Sequence, residues 1–214
     1  MRDAFEFLAL GGPIIAVLAL CSLVATTLLF ERLWYLQKQR IVPARFQELV
    51  RQHLRAGRHV EAGALCEASD TPIARIIGAG IKQQHAGRAR VREALEDRGR
   101  QEATRLERFL GVLSAIATVS PLLGLLGTIT GMIKTFQSVT ENVGAQAMSA
   151  GVLANGIWEA LISTAAGLCV AIPVFVAHRL LAGRVDALTT SLEEGALAAL
   201  DDLDRLGDVA EATP

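Results

Sequence analysis

The chain is poor in the residues that build most recognisable chemistry. Its three cysteines, Cys21, Cys66 and Cys169, form no CxxC pair, and its four histidines, His53, His59, His85 and His178, follow no HExxH or other metal-ligand spacing. That argues against a zinc or dithiol site, so neither a metal nor a cofactor is expected, and the cysteines read as small packing residues. Aromatic residues make up only 5 % of the 214 positions, with a single tyrosine. The stacking platforms of single-strand nucleic-acid binders are therefore missing, and the basic residues of 31–108 are interleaved with Glu93, Glu96, Asp97, Glu102 and Glu107. Those charges read as a solvated helical face near anionic lipid, with nucleic acid excluded as a partner. Nor can a nucleophile, base and orienting group be assembled, which points away from an enzyme.

Charge itself is scarce, at 20 % of residues against 51 % hydrophobic, and its absence is concentrated. Gly11 to Phe30, Phe109 to Ile133 and Val152 to Ala177 together contain one charged side chain, Glu159. Each window is long enough to cross a hydrocarbon core of about 30 Å at about 1.5 Å per helical residue. The first is too long for a signal-peptide core and runs into Glu31-Arg32-Leu33-Trp34-Tyr35 in place of a small-residue cleavage site, so it reads as a retained membrane helix. Trp34 and Tyr35 suit the headgroup level.

Basic residues set the expected orientation. Arg32, Lys38, Arg40, Arg45 and many further arginines up to Arg108 lie between the first two spans, while the linker Gln137 to Gly151 has none. The positive-inside bias then places the N-terminus outside, the large loop inside, the short linker outside and the C-terminus inside. The loop reads as helices over Ala44 to Ala56, His59 to Ala68 and Pro72 to Gln84, punctuated by Pro43, Gly57-Arg58 and Asp70-Thr71-Pro72. From Arg90 no proline interrupts the pattern until Pro121, which predicts a second membrane helix that starts deep in the cytoplasm and runs unbroken into the bilayer. After the third span, Leu181, Val185, Leu188, Leu192, Ala196, Ala199, Leu203 and Leu206 form an amphipathic stripe that needs covering by a neighbouring subunit or by the loop helices. The expected fold class is an all-α membrane protein, a single domain over 1–214 with spans near 11–30, 109–136 and 152–177. A helical cytoplasmic loop over 31–108 and a cytoplasmic C-terminal helix over 178–207 complete it.

An intramembrane carboxylate costs roughly 2.5 kcal/mol or more to insert, which makes Glu159 a functional-site hypothesis. Counting inward from the linker places Thr128 and Glu159 both about 11 Å below the outer boundary, with Thr164 about 7.5 Å deeper. Ser163 lies one turn from Glu159. A carboxyl in low dielectric has a raised proton affinity, and hydroxyls can donate to it or hold water, as a proton path or pore lining requires. The competing reading is structural glue: a protonated Glu159 bonded to neighbouring helices and threonines bonded to their own backbone. Lys134 reads as snorkelling to the outer interface in preference to pairing with Glu159. Gly124, Gly127 and Gly131 permit close helix approach and point to tight contacts in assembly; they lack the lysine that a phosphate loop requires. Pro121 and Pro173 remove backbone donors within spans, implying kinks or exposed carbonyls.

The run SPLLGLLGTITGM at 120–132, followed by GIWEALISTAAGLCVAIP at 156–173, resembles the paired signature of the ExbB/TolQ/MotA proton-channel family, nearest its ExbB and TolQ branch. The resemblance implies a homo-oligomer, five-fold, whose second and third helices line a pore holding single-span partners of the ExbD/TolR type. It implies that a partner aspartate carries the proton among Thr128, Glu159 and Thr164, and that proton flow drives an envelope-spanning protein of the TonB or TolA type. It further implies a multi-pass subunit of the bacterial inner membrane serving TonB-dependent outer-membrane import, with TolQ-like envelope maintenance as the nearest alternative. A structural membrane scaffold is the alternative of another class.

Overall fold

The computed structural model describes residues 12–141 and 150–211. The residues called the short outside linker lie largely outside these, as do the N-terminal residues before the first span. In chain order the helices are α1 (Gly12–Tyr35), α2 (Lys38–Ile41), α3 (Ala44–Arg55), α4 (His59–Ala68), α5 (Pro72–Lys82), a 3-10 turn (Gln84–Ala86), α6 (Arg88–Glu107), α7 (Leu110–Glu141) and α8 (Ala150–Glu211). No strand occurs among the described residues. The chain divides into two compact units, one of Met1–Glu31 with Phe109–Leu180 and one of Arg32–Arg108 with Leu181–Pro214.

The first unit departs from the packing of a water-soluble protein. Small or hydroxylated residues such as Ala25, Ala117, Ser120, Ala160 and Ser163 take many of its inward positions beside the buried Leu18 and Leu113, whereas Leu20, Leu122, Leu161, Ile172 and Phe175 point outward. Large apolar groups gain nothing by hiding when the surrounding medium is itself hydrocarbon, and small residues let backbones approach. Hydroxyls are satisfied without water: Thr26 donates to the Ser22 carbonyl, Thr118 to Ser114 and Ser120 to Ile116. Three helices are long and apolar enough to cross a membrane, and the chain is an all-α membrane protein.

The second unit has an ordinary apolar core. α5 is its centre, because Pro72 opens the helix at a position whose N–H needs no partner and Ile73, Ile76 and Ile77 recur on one face, each at most 1 % exposed. The loop helices begin and end close to where proline and glycine place them; Gly57, at φ 73°, turns the chain between α3 and α4. The amphipathic stripe after the third span is covered by helices of its own chain: Leu181, Val185, Leu188 and Leu192 are buried, and Gly195 lies against Gln47 and Ile73. Span and tail form one helix, α8.

Two expectations need correcting. Glu102 is not on a solvated face but 1 % exposed, its carboxylate accepting from Arg75 Nε at 2.9 Å and Nη2 at 2.7 Å and from Arg105 at 3.0 Å. A buried carboxylate survives because guanidinium forks replace the lost water. The second membrane helix is also interrupted. Phe109 takes φ 67°, the left-handed region unusual for a side chain of this size, so α6 stops at Glu107 and α7 starts at Leu110.

Candidate functional site

The polar residues singled out above lie where α7 and α8 run antiparallel in close contact. Glycine makes that closeness possible. A Cβ at Gly124 would stand 2.9 Å from the Ser163 carbonyl oxygen, and one at Gly131 would stand 3.3 Å from Ala160 Cβ. Gly127 faces the Ser163 side chain and Gly156 the Thr135 hydroxyl. The glycine stripe is thus occupied by the chain's own α8, a close helix approach within one chain. Ser120 and Thr135 on α7, with Gly156, Ala160 and Gly167 on α8, continue it. Their small-residue steps of three and four are the sequence signal for this contact.

These pairings also set depth. Gly124 faces Ser163 and Gly167, Gly131 faces Ala160 and Thr135 faces Gly156, so Glu159 is level with Met132 and Thr128 with Ser163. Thr128 therefore lies about 6 Å, roughly one helical turn, deeper than Glu159, and close to the level of Thr164. The common depth inferred for Thr128 and Glu159 does not hold, because distances counted from a linker ignore the stagger of the two helices.

The hydroxyls are engaged. Ser163 donates to the Gly124 carbonyl at 3.2 Å and to that of Ala160 at 2.7 Å; Thr164 donates to the same Gly124 carbonyl at 3.3 Å. Thr128 donates to the Leu125 carbonyl at 2.7 Å. Lacking a side chain, Gly124 leaves its carbonyl open to the facing helix, and two hydroxyls of α8 converge there.

Glu159 differs from all of these. One third of its side chain is exposed, and Lys134 Nζ lies 3.7 Å from its carboxylate. Sequence reasoning preferred snorkelling for Lys134, but the helix stagger brings it to the level of Glu159. Among the described residues this is the one ion pair joining α7 and α8. An accessible carboxyl beside an ammonium, at the edge of a zone of satisfied hydroxyls, can exchange a proton or hold a cationic or protonated partner group. Pro121 and Pro173 both sit inside continuous helices, so each leaves the carbonyl four residues earlier without its helical donor. Among the described residues no group of three or more His, Cys, Asp or Glu could hold a metal ion.

Comparison with known proteins agrees with this geometry. Residues 68–194 match the model of the MotA/TolQ/ExbB proton channel family, a stretch that includes all the α7 and α8 positions above. A Synechocystis sp. protein bearing the name biopolymer transport protein ExbB-like 1 is 37 % identical over 179 residues, covering 82 % of this chain and 69 % of that one. A Methanothermobacter thermautotrophicus ExbB homolog is 31 % identical over 182 residues, covering 85 % of this chain and 63 % of that protein. The Tol-Pal system protein TolQ of Haemophilus influenzae is 40 % identical over 88 residues, 41 % of this chain and 37 % of its own. The chain belongs to the MotA/TolQ/ExbB proton channel family.

Proposed function

We propose that this chain is the channel-forming subunit of an inner-membrane complex that uses the proton motive force to drive TonB-dependent outer-membrane import. It acts as a homo-oligomer of five copies around single-span partners of the ExbD/TolR type, coupled to a TonB-type protein, with its large loop and C-terminus in the cytoplasm. The observation that carries the reading is Glu159, a carboxyl kept at high insertion cost on an apolar helix and left accessible at 33 % exposure while every neighbouring hydroxyl is satisfied. Thr128, Thr164 and Ser163 line the path with it, and Gly124, Gly127, Gly131, Pro121 and Pro173 shape the helices that hold it. Each proton crossing 100 mV supplies about 2.3 kcal/mol. No enzymatic step is needed to power the work. A TolQ-like role in envelope integrity is the second reading, supported by the 40 % identity to the Haemophilus protein over 88 residues.

Paired substitutions at Glu159 separate proton handling from packing. Glu159→Gln keeps shape and hydrogen bonding but cannot titrate; Glu159→Ala loses both. Lys134→Gln is added to each so that no unpaired ammonium confuses the result. Assembly with the partner and energy-dependent uptake are both measured, and proton handling requires all variants to assemble while the Glu159 variants lose uptake. Full uptake by Glu159→Gln at normal expression overturns an obligatory exchange role for Glu159. For sidedness, cysteines at Ser149 and Ser69 in a background lacking the native three should label from outside and only after permeabilisation, respectively. Ready labelling at Ser69 in intact spheroplasts refutes the orientation.

A further inference from the structure

Where α1 ends, the chain builds an ordered aromatic and cationic platform that the channel chemistry does not use. Leu36, Ile41 and Val42 are buried, at 0, 1 and 7 % exposure, and pin α2 down. Backbone bonds from Leu36 to Arg32, Arg40 to Gln37 and Val42 to Lys38, each 2.9 Å, fix the turn. Trp34 stands exposed, with the Arg40 guanidinium 5.1 Å from its ring centroid, and Lys38, two residues before Arg40 on the short α2, is exposed as well. Arg32 is committed elsewhere, buried against the Tyr35 ring and donating to the Leu106 carbonyl.

Pairing distinguishes these cations from their neighbours. On α6, Arg88, Arg90, Arg92, Arg98, Arg100 and Arg105 each have a carboxylate of the same unit within 4.0 Å. Among the described residues neither Lys38 nor Arg40 has one. Positions 31–47 hold Arg32, Lys38, Arg40 and Arg45 against the single carboxylate Glu31. Trp34 is in the last turn of the 24-residue apolar helix α1 and Lys38 and Arg40 follow it, the place along the chain where hydrocarbon is expected to give way to headgroups. An indole prefers that level, and a guanidinium stacked on it presents its fork to a phosphate.

We propose that Trp34, Lys38 and Arg40 form a binding site for the phosphate of an anionic phospholipid headgroup. The inference rests on the membrane-spanning α1 and is independent of any proton pathway. Trp34 is one of two tryptophans, so Trp158→Phe makes it the only reporter. The protein is reconstituted in phosphatidylcholine vesicles carrying equal mole fractions of brominated phosphatidylglycerol or of brominated phosphatidylcholine. Enrichment of the anionic lipid should give several-fold stronger quenching in the first series, falling about fivefold for each of Lys38→Gln and Arg40→Gln. Brominated phosphatidylcholine should quench wild type and variants alike, which shows that the variants are inserted and folded. In unmutated Lys38/Arg40 protein 1 M salt should weaken the excess, since the screening length there is about 3 Å. Glycerol phosphate at millimolar concentration should not displace it; displacement would assign the site to soluble phosphates and overturn the lipid assignment. Equal quenching by the two lipids in the wild-type background overturns the proposal outright.

Discussion

Replacing Gly167 with alanine tests the packing of α7 against α8 most directly. The added Cβ would stand 2.7 Å from the Ser120 carbonyl oxygen and 3.0 Å from Gly124 Cα. Both atoms are backbone, so no change of rotamer relieves the clash. Ordinary contact begins at 3.4 Å, and the helices must therefore part locally by roughly 0.7 Å. That separation also stretches the bonds from Ser163 and Thr164 to the Gly124 carbonyl, now 3.2 and 3.3 Å, beyond useful length. Overpacking costs about 1–3 kcal/mol, and each weakened hydrogen bond adds about 0.5–1.5 kcal/mol. Alanine returns about 1 kcal/mol in helix propensity, leaving a net loss of about 1–5 kcal/mol. Gly183 provides the control in the same helix, because nothing lies within 4 Å of its Cβ position and Gly183→Ala should gain up to about 1 kcal/mol. Thermal unfolding of both variants in one mild detergent, followed by circular dichroism, should show Gly167→Ala melting several degrees lower and Gly183→Ala about 2–4 °C higher. If Gly167→Ala melts at or above wild type, the close approach of Gly167 to Ser120 and Gly124 is wrong.

Other consequences follow from the second unit. Burial pushes the Asp202 carboxyl up, but the Arg51 and Arg55 guanidiniums outweigh it and hold the group below the usual carboxylate range. Its stabilisation is present above the unfolded value of about 3.9 and is lost as pH falls through the lower folded value, so hydrogen exchange over 185–200 should be flat from pH 7 to 5 and rise only below about pH 4. Release at pH 5–6 would contradict this. Burial, aided by Glu67, pushes the Cys66 thiol up to about 11. With Cys21 and Cys169 replaced, its alkylation at pH 8 should be at least tenfold slower than that of a free thiol and should accelerate toward pH 10; fast modification at pH 8 would show the site open. Glu102→Ala strands Arg75 beside one exposed aspartate and should cost about 3 kcal/mol, read as faster proteolysis at the Gly57 and Gly87 turns. An unchanged cleavage rate would mean that Glu102 does not hold α5 to α6.

The parts of the fold legible in the sequence are those governed by local chemistry. Pro43, Gly57 and Pro72 constrain the backbone wherever they occur, so α3 and α4 were placed to within a residue and α5 to within two. Long apolar windows give the three candidate spans for the same reason. The break at Phe109 was not legible: Leu106, Leu110 and Leu113 keep helical spacing through it, and phenylalanine is not a residue that signals positive φ. Glu102 looked solvated because its carboxylate is paid for by Arg75, 27 positions away. In the candidate site, residue types and motif spacing were readable, and the depths were not. Depth depends on the stagger of α7 against α8, which is fixed by contacts such as Gly156 with Thr135 and Gly167 with Ser120, and those same contacts place Lys134 beside Glu159.

The small-residue packing of α7 against α8 means that one chain obeys two different grammars of substitution. Around Ile73, Ile76 and Ile77, which are buried within the water-facing unit, tolerance should follow hydrophobicity, with valine or leucine accepted and serine rejected. Along Ser120, Gly124, Ser163 and Gly167 it should follow volume, with alanine accepted at the two serines, glycine alone at Gly124 and Gly167, and leucine rejected at all four. A saturation scan scored by hydropathy alone would therefore mark the outward leucines of α7 and α8 as the core and dismiss the small inward residues as surface. Scored by side-chain volume, the same scan would trace the line along which the two helices touch.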